Sequence, residues 1–321
     1  MLSNDLEVID VSLKWAAAGY RSALVTVLST FGASPRPAGS MAAIREDGLV
    51  VGSVSGGCVE DDIVRSIKQP HFWQTAAPIT LLSFGTTADE RARFRLPCGN
   101  ALKVAVEARW DVEQLAQAYA MIRQGKPVTR VIHYQSGVSC LEAPTSTVPF
   151  TDDESGFRNC LGPRYRLLII GASELGQYLV NIAQTLDYAI TVCDPRSEYA
   201  DAWTSSTVTF TREMPDDVVL AFNCDERTAV VAVTHDPKLD DLALMEALRT
   251  PAFYVGALGS VATNARRRER LMQFDVSEMQ VARMRGPVGL RIGSKAPAEI
   301  AVAIAAELIQ VRHELSTPVT S

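Results

Sequence analysis

The sequence predicts an α/β protein in two parts, an N-terminal α/β domain followed by a Rossmann-like, parallel-sheet domain. Three observations carry that expectation. A chain of 321 residues is long for one average domain and comfortable for two. The second half alternates short apolar runs with helical stretches, a pattern that needs a parallel sheet covered on both faces. Between the halves, residues 143–163 (APTSTVPFTDDESGFRNCLGP) are rich in Pro, Ser, Thr, Asp and Gly without a sustained period, and read as a linker. The expected division is therefore 1–142, a linker over 143–163, and 164–321.

In the first part, apolar residues at helical spacing predict a helix over Asp5–Ala18. Strand-like runs follow at Ala23–Leu28, Met41–Ile44 and Leu49–Val54. The last two are joined by Glu46-Asp47-Gly48, residues that tolerate the positive φ of a hairpin turn. Further strands are predicted at Pro78–Ser83 and Ala101–Ala108, a helix at Asp111–Arg123, and strands at Val128–Tyr134 and Val138–Glu142. In the second part the strands fall at Arg166–Gly171, Ala189–Asp194, Thr207–Phe210, Ala229–Thr234 and Ala252–Val255. Helices alternate with them at Glu174–Leu186, Leu239–Leu248, Val261–Gln273 and Ala298–His313.

Composition narrows the function classes. With 47% hydrophobic and 21% charged residues the chain has ordinary globular usage. A net charge of -6 offers no global basic field, so nucleic acid is not an expected partner. The opening MLSNDLEVID is acidic where a secretory signal is basic, and no apolar run has the length of a membrane span. Six dispersed cysteines with no CxxC suit a reducing compartment, so a cytoplasmic protein with no membrane partner is expected.

Several strand ends carry candidate chemistry. GASELG, at Gly171–Gly176, stands where a dinucleotide fingerprint has glycine at its first, third and sixth positions, but the third is Ser173. Glu174 adds negative charge where the ligand would be negative. Asp194 ends the next strand at the place where an acid commonly meets a ribose hydroxyl. His235, in VTHD, suits orienting a ligand or proton transfer near neutral pH, and suits a helix start equally well. The arginines 266, 267, 268 and 270 read as a solvated helix face, with one member available to phosphate. In the first half, the small residues around Arg36 in GASPRPAGS read either as an anion cradle or as a Pro-rich turn.

The stretch GSVSGGCVE sets Cys58 behind Gly56 and Gly57 where a strand gives way to a helix. A helix start favours the thiolate, while Glu60, Asp61 and Asp62 oppose it. Cys98, followed by Gly99, has a similar setting in RLPCGN, and two loop thiols suit a soft metal or a sulfur-bearing ligand. Cys140, Cys160, Cys193 and Cys224 read as small buried hydrophobes.

With these residues in hand, the sequence resembles the XdhC/CoxI family. FGASPRPAG, GSVSGGCVE, CGN, CDPR, THD, YVGALGS, GPVGLRIG and APAEIA follow its order and spacing from Val25 to Leu308. The resemblance implies a maturation chaperone rather than an enzyme with its own turnover. Its cargo would be the molybdenum cofactor, as molybdopterin or its cytosine dinucleotide, held while it is sulfurated and then inserted into an apo molybdenum hydroxylase such as an aldehyde or xanthine dehydrogenase. A cysteine desulfurase partner and a homodimer are implied in the same way. The candidate cofactor-contacting residues are Arg36, Ser55, Gly56, Gly57, Cys58, Glu60, Cys98 and Gly99 in the first half. In the second half they are Gly171, Ser173, Gly176, Asp194, His235 and Asp236, and Cys58 is the candidate molybdenum contact. The chain departs from the family at Ser173 and Asn100, where glycine is more usual, and at Ala296, where a hydroxyl normally caps the last helix. Two other readings stay open: an NAD(P)-dependent oxidoreductase, and a persulfide-carrying sulfurtransferase.

Overall fold

The computed structural model describes residues 4–31, 36–57, 59–85, 101–144, 148–206 and 208–316. The chain forms two compact units, Leu2–Pro163 and Arg164–Ser321.

The first unit is built on an antiparallel sheet of β1 (Ser22–Phe31), β2 (Met41–Arg45), β3 (Val50–Gly52), β4 (Ile79–Phe84) and β5 (Ala101–Glu107), in the order β3-β2-β1-β5-β4. Alternate residues of β1 serve opposite faces. Ala23, Val25 and Val27 pack with Ile63 and Ile67 of the helix Glu60–Ile67. Leu24 packs with Leu6 and Ile9 of the helix Asn4–Ala17 and with Leu115 and Ile122 of the helix Val112–Arg123. Both faces are covered, which is why the run Ala23–Val25, with Val27 and Leu28, is apolar on consecutive positions and not on alternate ones. The β2–β3 hairpin turns at Asp47, whose carboxylate accepts the Leu49 N–H at 3.2 Å. Asp111 caps the helix Val112–Arg123 by accepting from Gln114 N at 3.0 Å.

A second antiparallel sheet corrects the linker reading. Residues 143–163 contain β8 (Phe150–Asp152) and β9 (Gly156–Leu161), which pair with β6 (Val128–His133) and β7 (Ser139–Glu142) in the order β7-β6-β9-β8. The polar composition belongs to a tight turn. Asp153 Oδ1 accepts from Ser155 N at 2.8 Å, Ser155 Oγ at 2.6 Å and Gly156 N at 3.1 Å. Gly156 lies so close to β6 that a Cβ would sit 1.9 Å from the Ile132 carbonyl oxygen, so glycine is required there. Arg130 of β6 and Glu107 of β5 tie the two sheets with a bidentate pair at 2.8 and 2.7 Å, each side chain 2% exposed.

The second unit is a six-stranded, all-parallel sheet of β10 (Tyr165–Ile170), β11 (Tyr188–Cys193), β12 (Thr209–Thr211), β13 (Thr228–Ala232), β14 (Tyr254–Ala257) and β15 (Met284–Arg285). Its order, β12-β11-β10-β13-β14-β15, reverses direction between β10 and β13, the switch point at which doubly wound sheets leave a crevice. Leu167 and Ile169 pack under the helices Glu174–Gln184 and Pro297–Ser316, through Leu179, Ala183, Ile304 and Leu308. Leu168 and Ile170 face Ala243, Leu244 and Leu248 of the helix Pro237–Arg249. The α/β reading of both halves holds. The helix Pro215–Phe222 lies outside the sequence expectation, although Pro215 at its start and Asp216 and Asp217 in its first turn are the usual signals. The last helix replaces the missing hydroxyl at Ala296 with Glu299, whose Oε2 accepts from Lys295 N at 3.0 Å and Ala296 N at 3.2 Å. Those two bonds hold the Glu299 carboxyl below its ordinary pKa. Among the described residues no helix is long and apolar enough to cross a membrane.

Removing one member of a buried ion pair strands the other, at a cost of about 3–5 kcal/mol. Arg130→Met is therefore expected to destabilise the first unit by about that much in urea unfolding. The double variant Arg130→Met/Glu107→Met should recover most of the loss, because no uncompensated charge remains.

Candidate functional site

The candidate residues fall into two groups, one in each unit. In the first, the chain leaves β3 at Gly52, turns through Ser53–Gly57 and enters the helix that starts at Glu60. The loop is organised from beneath by the Glu60 carboxylate, which is 6% exposed. Oε1 accepts from Ser53 Oγ at 2.8 Å and from the N–H groups of Val54 and Ser55, both at 2.9 Å. Oε2 accepts from Ser55 Oγ and from Gly57 N at 3.1 Å. The two serines extend the arrangement: Ser53 Oγ accepts Gly56 N at 3.0 Å, and Ser55 Oγ accepts Val59 N at 2.9 Å. Burial works to raise the Glu60 pKa, but the hydrogen bonds from Ser55, Ser53 and Val54 outweigh it and bring the pKa down from 4.5 to about 2.

This geometry alters several sequence expectations. A carboxylate has room for about four hydrogen bonds, and Glu60 accepts five, so it holds the loop and has no lone pair left for a ligand. The N–H groups of Gly56 and Gly57 point to Ser53 and Glu60, so neither is spare for an anion cradle. What the loop presents outward is a pair of exposed glycines with φ of +87° and +113°, immediately before Cys58 in sequence. Ser53, absent from the expected set, bonds both Glu60 and Gly56; the signal was a pair of serines ahead of a buried acid. Arg36 is half-buried in the connection between β1 and β2. Cys58, Cys98 and Gly99 lie outside the described residues, as does Asn100.

The second group lies at the carboxyl ends of β10, β11 and β13. Ser173 does not face a ligand as a substitute for glycine; it is the N-cap of the helix Glu174–Gln184, accepting Gly176 N at 3.4 Å. Gly176 packs so tightly that a Cβ would lie 2.4 Å from the Gly171 carbonyl oxygen, which explains both glycines as close-approach positions. Asp194 is fully buried and accepts Ala172 N at 2.8 Å, so it braces the turn from below instead of awaiting a ribose.

His235 and Asp236 part company. Asp236 caps the helix Pro237–Arg249 through Lys238 N at 2.9 Å. His235 is exposed, at a φ of +63° that a non-glycine residue adopts only when its surroundings enforce it. They do: Thr234 N and Oγ1 bond Asp240 Oδ1 at 3.1 and 2.7 Å, and Asp236 N bonds Thr234 Oγ1 at 2.9 Å. Burial raises the Asp240 pKa, against the lowering effect of Thr234 and the nearby Arg267 charge. Arg267 is not on a solvated face. It is 2% exposed, bonding Asp240 at 3.0 Å, Asp241 at 2.8 Å and the Leu258 carbonyl at 2.8 Å, and so joins the VTHD and GALGS strand ends. Arg270 bonds the same Asp241, and Arg268 bonds the carbonyls of Met284 and Gly286. Of the four inert-looking cysteines, Cys160, Cys193 and Cys224 are buried and Cys140 is half-buried. Burial pushes the Cys193 thiol up to about 12.

Two outcomes follow for the Glu60 loop. Glu60→Gln exchanges an acceptor for a donor facing other donors, and is expected to cost about 2–3 kcal/mol in urea unfolding of the first unit. The Glu60 contribution has a defined pH window. Its folded pKa is depressed, so the stabilisation is complete above about 4.5 and is lost as the pH falls toward about 2. Protection of the Val54, Ser55 and Gly57 amides, measured relative to their intrinsic exchange rate at each pH, should therefore fall across that window in the wild type and stay low at every pH in Glu60→Gln.

Comparison with known proteins gives this geometry a family. The profile of the XdhC and CoxI family matches residues 15–84, which include the Glu60 loop, and that of the XdhC Rossmann domain matches residues 167–308. The chain is 28% identical over 306 residues to the molybdenum cofactor insertion chaperone PaoD of Escherichia coli (strain K12), across 92% of this chain and 85% of that protein. It is 26% identical over 326 residues to a probable xanthine dehydrogenase subunit of Bacillus subtilis (strain 168), across 91% of this chain and 94% of that protein. The fold also matches the crystal structure of a xanthine dehydrogenase from Bacillus halodurans, with a TM-score of 0.74 and 24% identity over 98% of both chains. The chain belongs to the XdhC and CoxI family.

Proposed function

We propose that this chain is a maturation chaperone that binds the molybdenum cofactor as cargo and inserts it into an apo molybdenum hydroxylase of the aldehyde or xanthine dehydrogenase type. The cargo is molybdopterin or its cytosine dinucleotide, and a cysteine desulfurase supplies the sulfur for its sulfido ligand while the chaperone, a homodimer, protects it. The observation that carries this reading is the loop Ser53–Gly57. A buried carboxylate saturated by the loop's own donors fixes the backbone shape of Ser53–Gly57, and Cys58 is the next residue in sequence. The name of the PaoD relative supports the cargo, and that of the Bacillus subtilis relative supports the class of client.

The chemistry suits the cargo. Molybdenum and its dithiolene and sulfido ligands are soft, and a cysteine thiolate is the protein ligand that matches them. Two residues without side chains ahead of the thiol leave room for a bulky pterin to approach. Arg36 is the residue of the set suited to the cofactor's phosphate.

The test uses protein purified anaerobically from a host that makes both pterin forms, as wild type and as Cys58→Ala. Molybdenum is measured by elemental analysis and the nucleotide by acid hydrolysis. Near-stoichiometric molybdenum with CMP release, lost in Cys58→Ala, is the expected result for the dinucleotide cargo. Molybdenum without CMP moves the client toward the xanthine dehydrogenase type. A chain that takes up no molybdenum under any loading condition overturns the proposal, and a persulfide on Cys58 without pterin would favour a sulfurtransferase.

A further inference from the structure

The carboxyl end of β11 carries an arrangement that a nucleotide-binding Rossmann unit does not need. Both oxygens of Asp194 are engaged by one residue two positions on: Oδ1 accepts Arg196 Nε at 2.9 Å and the Arg196 backbone N–H at 3.2 Å, and Oδ2 accepts Arg196 Nη2 at 2.8 Å. With the Ala172 N–H also on Oδ2 at 2.8 Å, the carboxylate accepts four hydrogen bonds, which is its full capacity. Asp194 is 0% exposed as a result.

Arg196 does more than cover its neighbour. Its Nη1 donates to the Thr234 carbonyl at 3.2 Å, and its guanidinium lies over the Tyr199 ring, 3.9 Å from the centroid. The sheet order sets β11 and β13 on opposite sides of β10. A side chain that bonds Asp194, just beyond β11, and Thr234, just beyond β13, therefore crosses the end of β10 at the switch point itself. In a dinucleotide site the acid at this position accepts from the ribose hydroxyls. Here that acceptor is used up and roofed over. The pair is also neutral, so the guanidinium offers no net charge to a 2′-phosphate.

We infer that Arg196 is a specificity-determining residue that closes the ribose position of the Rossmann crevice and excludes both NADH and NADPH from this unit. The inference goes beyond the proposed chaperone role and stands or falls separately from it. It also accounts for Ser173 and Glu174: a turn that does not receive a pyrophosphate is free to use a side-chain cap and to carry an acid in the first turn of its helix.

The experiment is a fluorescence titration of the full-length chain with NADH and with NADPH, as wild type, Arg196→Ala and Arg196→Ala/Asp194→Asn, with thermal unfolding recorded for each. Wild type is expected to show no saturable binding of either. Arg196→Ala, which uncovers the carboxylate, should gain NADH binding by at least about tenfold, and the double variant should lose that gain. Should Arg196→Ala fail to fold, Arg196→Gln keeps one hydrogen bond to Asp194 without the fork and is expected to show the same gain. Saturable binding of either nucleotide by the wild type overturns the inference, as does a folded Arg196→Ala or Arg196→Gln with no gain.

Discussion

The first unit depends on one carboxylate placed where a carboxylate is costly. Glu60 starts a helix and is nearly withdrawn from water, and an ionised group there survives only because the preceding loop turns five donors onto it. The dependence is mutual. Without the charge, Ser53, Val54, Ser55 and Gly57 would have no common acceptor; without the loop, the charge would have no solvation. The depressed pKa is the thermodynamic mark of that coupling. A short, glycine-containing segment thereby acquires a fixed backbone, which is the condition for presenting a neighbouring thiol in a defined place.

The second unit solves a similar problem at the switch point. Asp240 and Asp194 are both buried acids, each shared between a strand-end backbone N–H and an arginine. Through Arg267 the β13 and β14 ends are held together, and through Arg196 the β11 and β13 ends are bridged. The result is a Rossmann sheet of ordinary topology whose crevice is lined by committed hydrogen bonds. His235 is the exception, exposed on a strained backbone that Thr234 and Asp236 maintain.

Much of this is legible in the sequence, and the limits have physical reasons. Runs such as Leu167–Ile170 are apolar at every position because both sheet faces are buried, and that pattern marks a parallel strand. The hairpin β8–β9 is hidden because its turn and its strands share polar residues, and the decisive fact, the approach of Gly156 to Ile132, is a long-range contact. At the site, types and places are readable while roles are not. Glu60 and Asp194 read as ligand-facing acids, since a free carboxylate and a saturated one look alike in a sequence. Their partners, Ser53 and Arg196, sit only a few residues away, yet nothing in the spacing says which way each side chain turns.

We propose that the loop held by Glu60, and not the Rossmann crevice, governs cargo. The most direct measurement is molybdenum bound per chain after anaerobic loading with isolated cofactor, comparing wild type with Glu60→Gln at a pH where both are folded. Glu60→Gln is expected to lose most of its molybdenum while the melting of the Arg164–Ser321 unit is unchanged. Full retention of molybdenum by Glu60→Gln would contradict it.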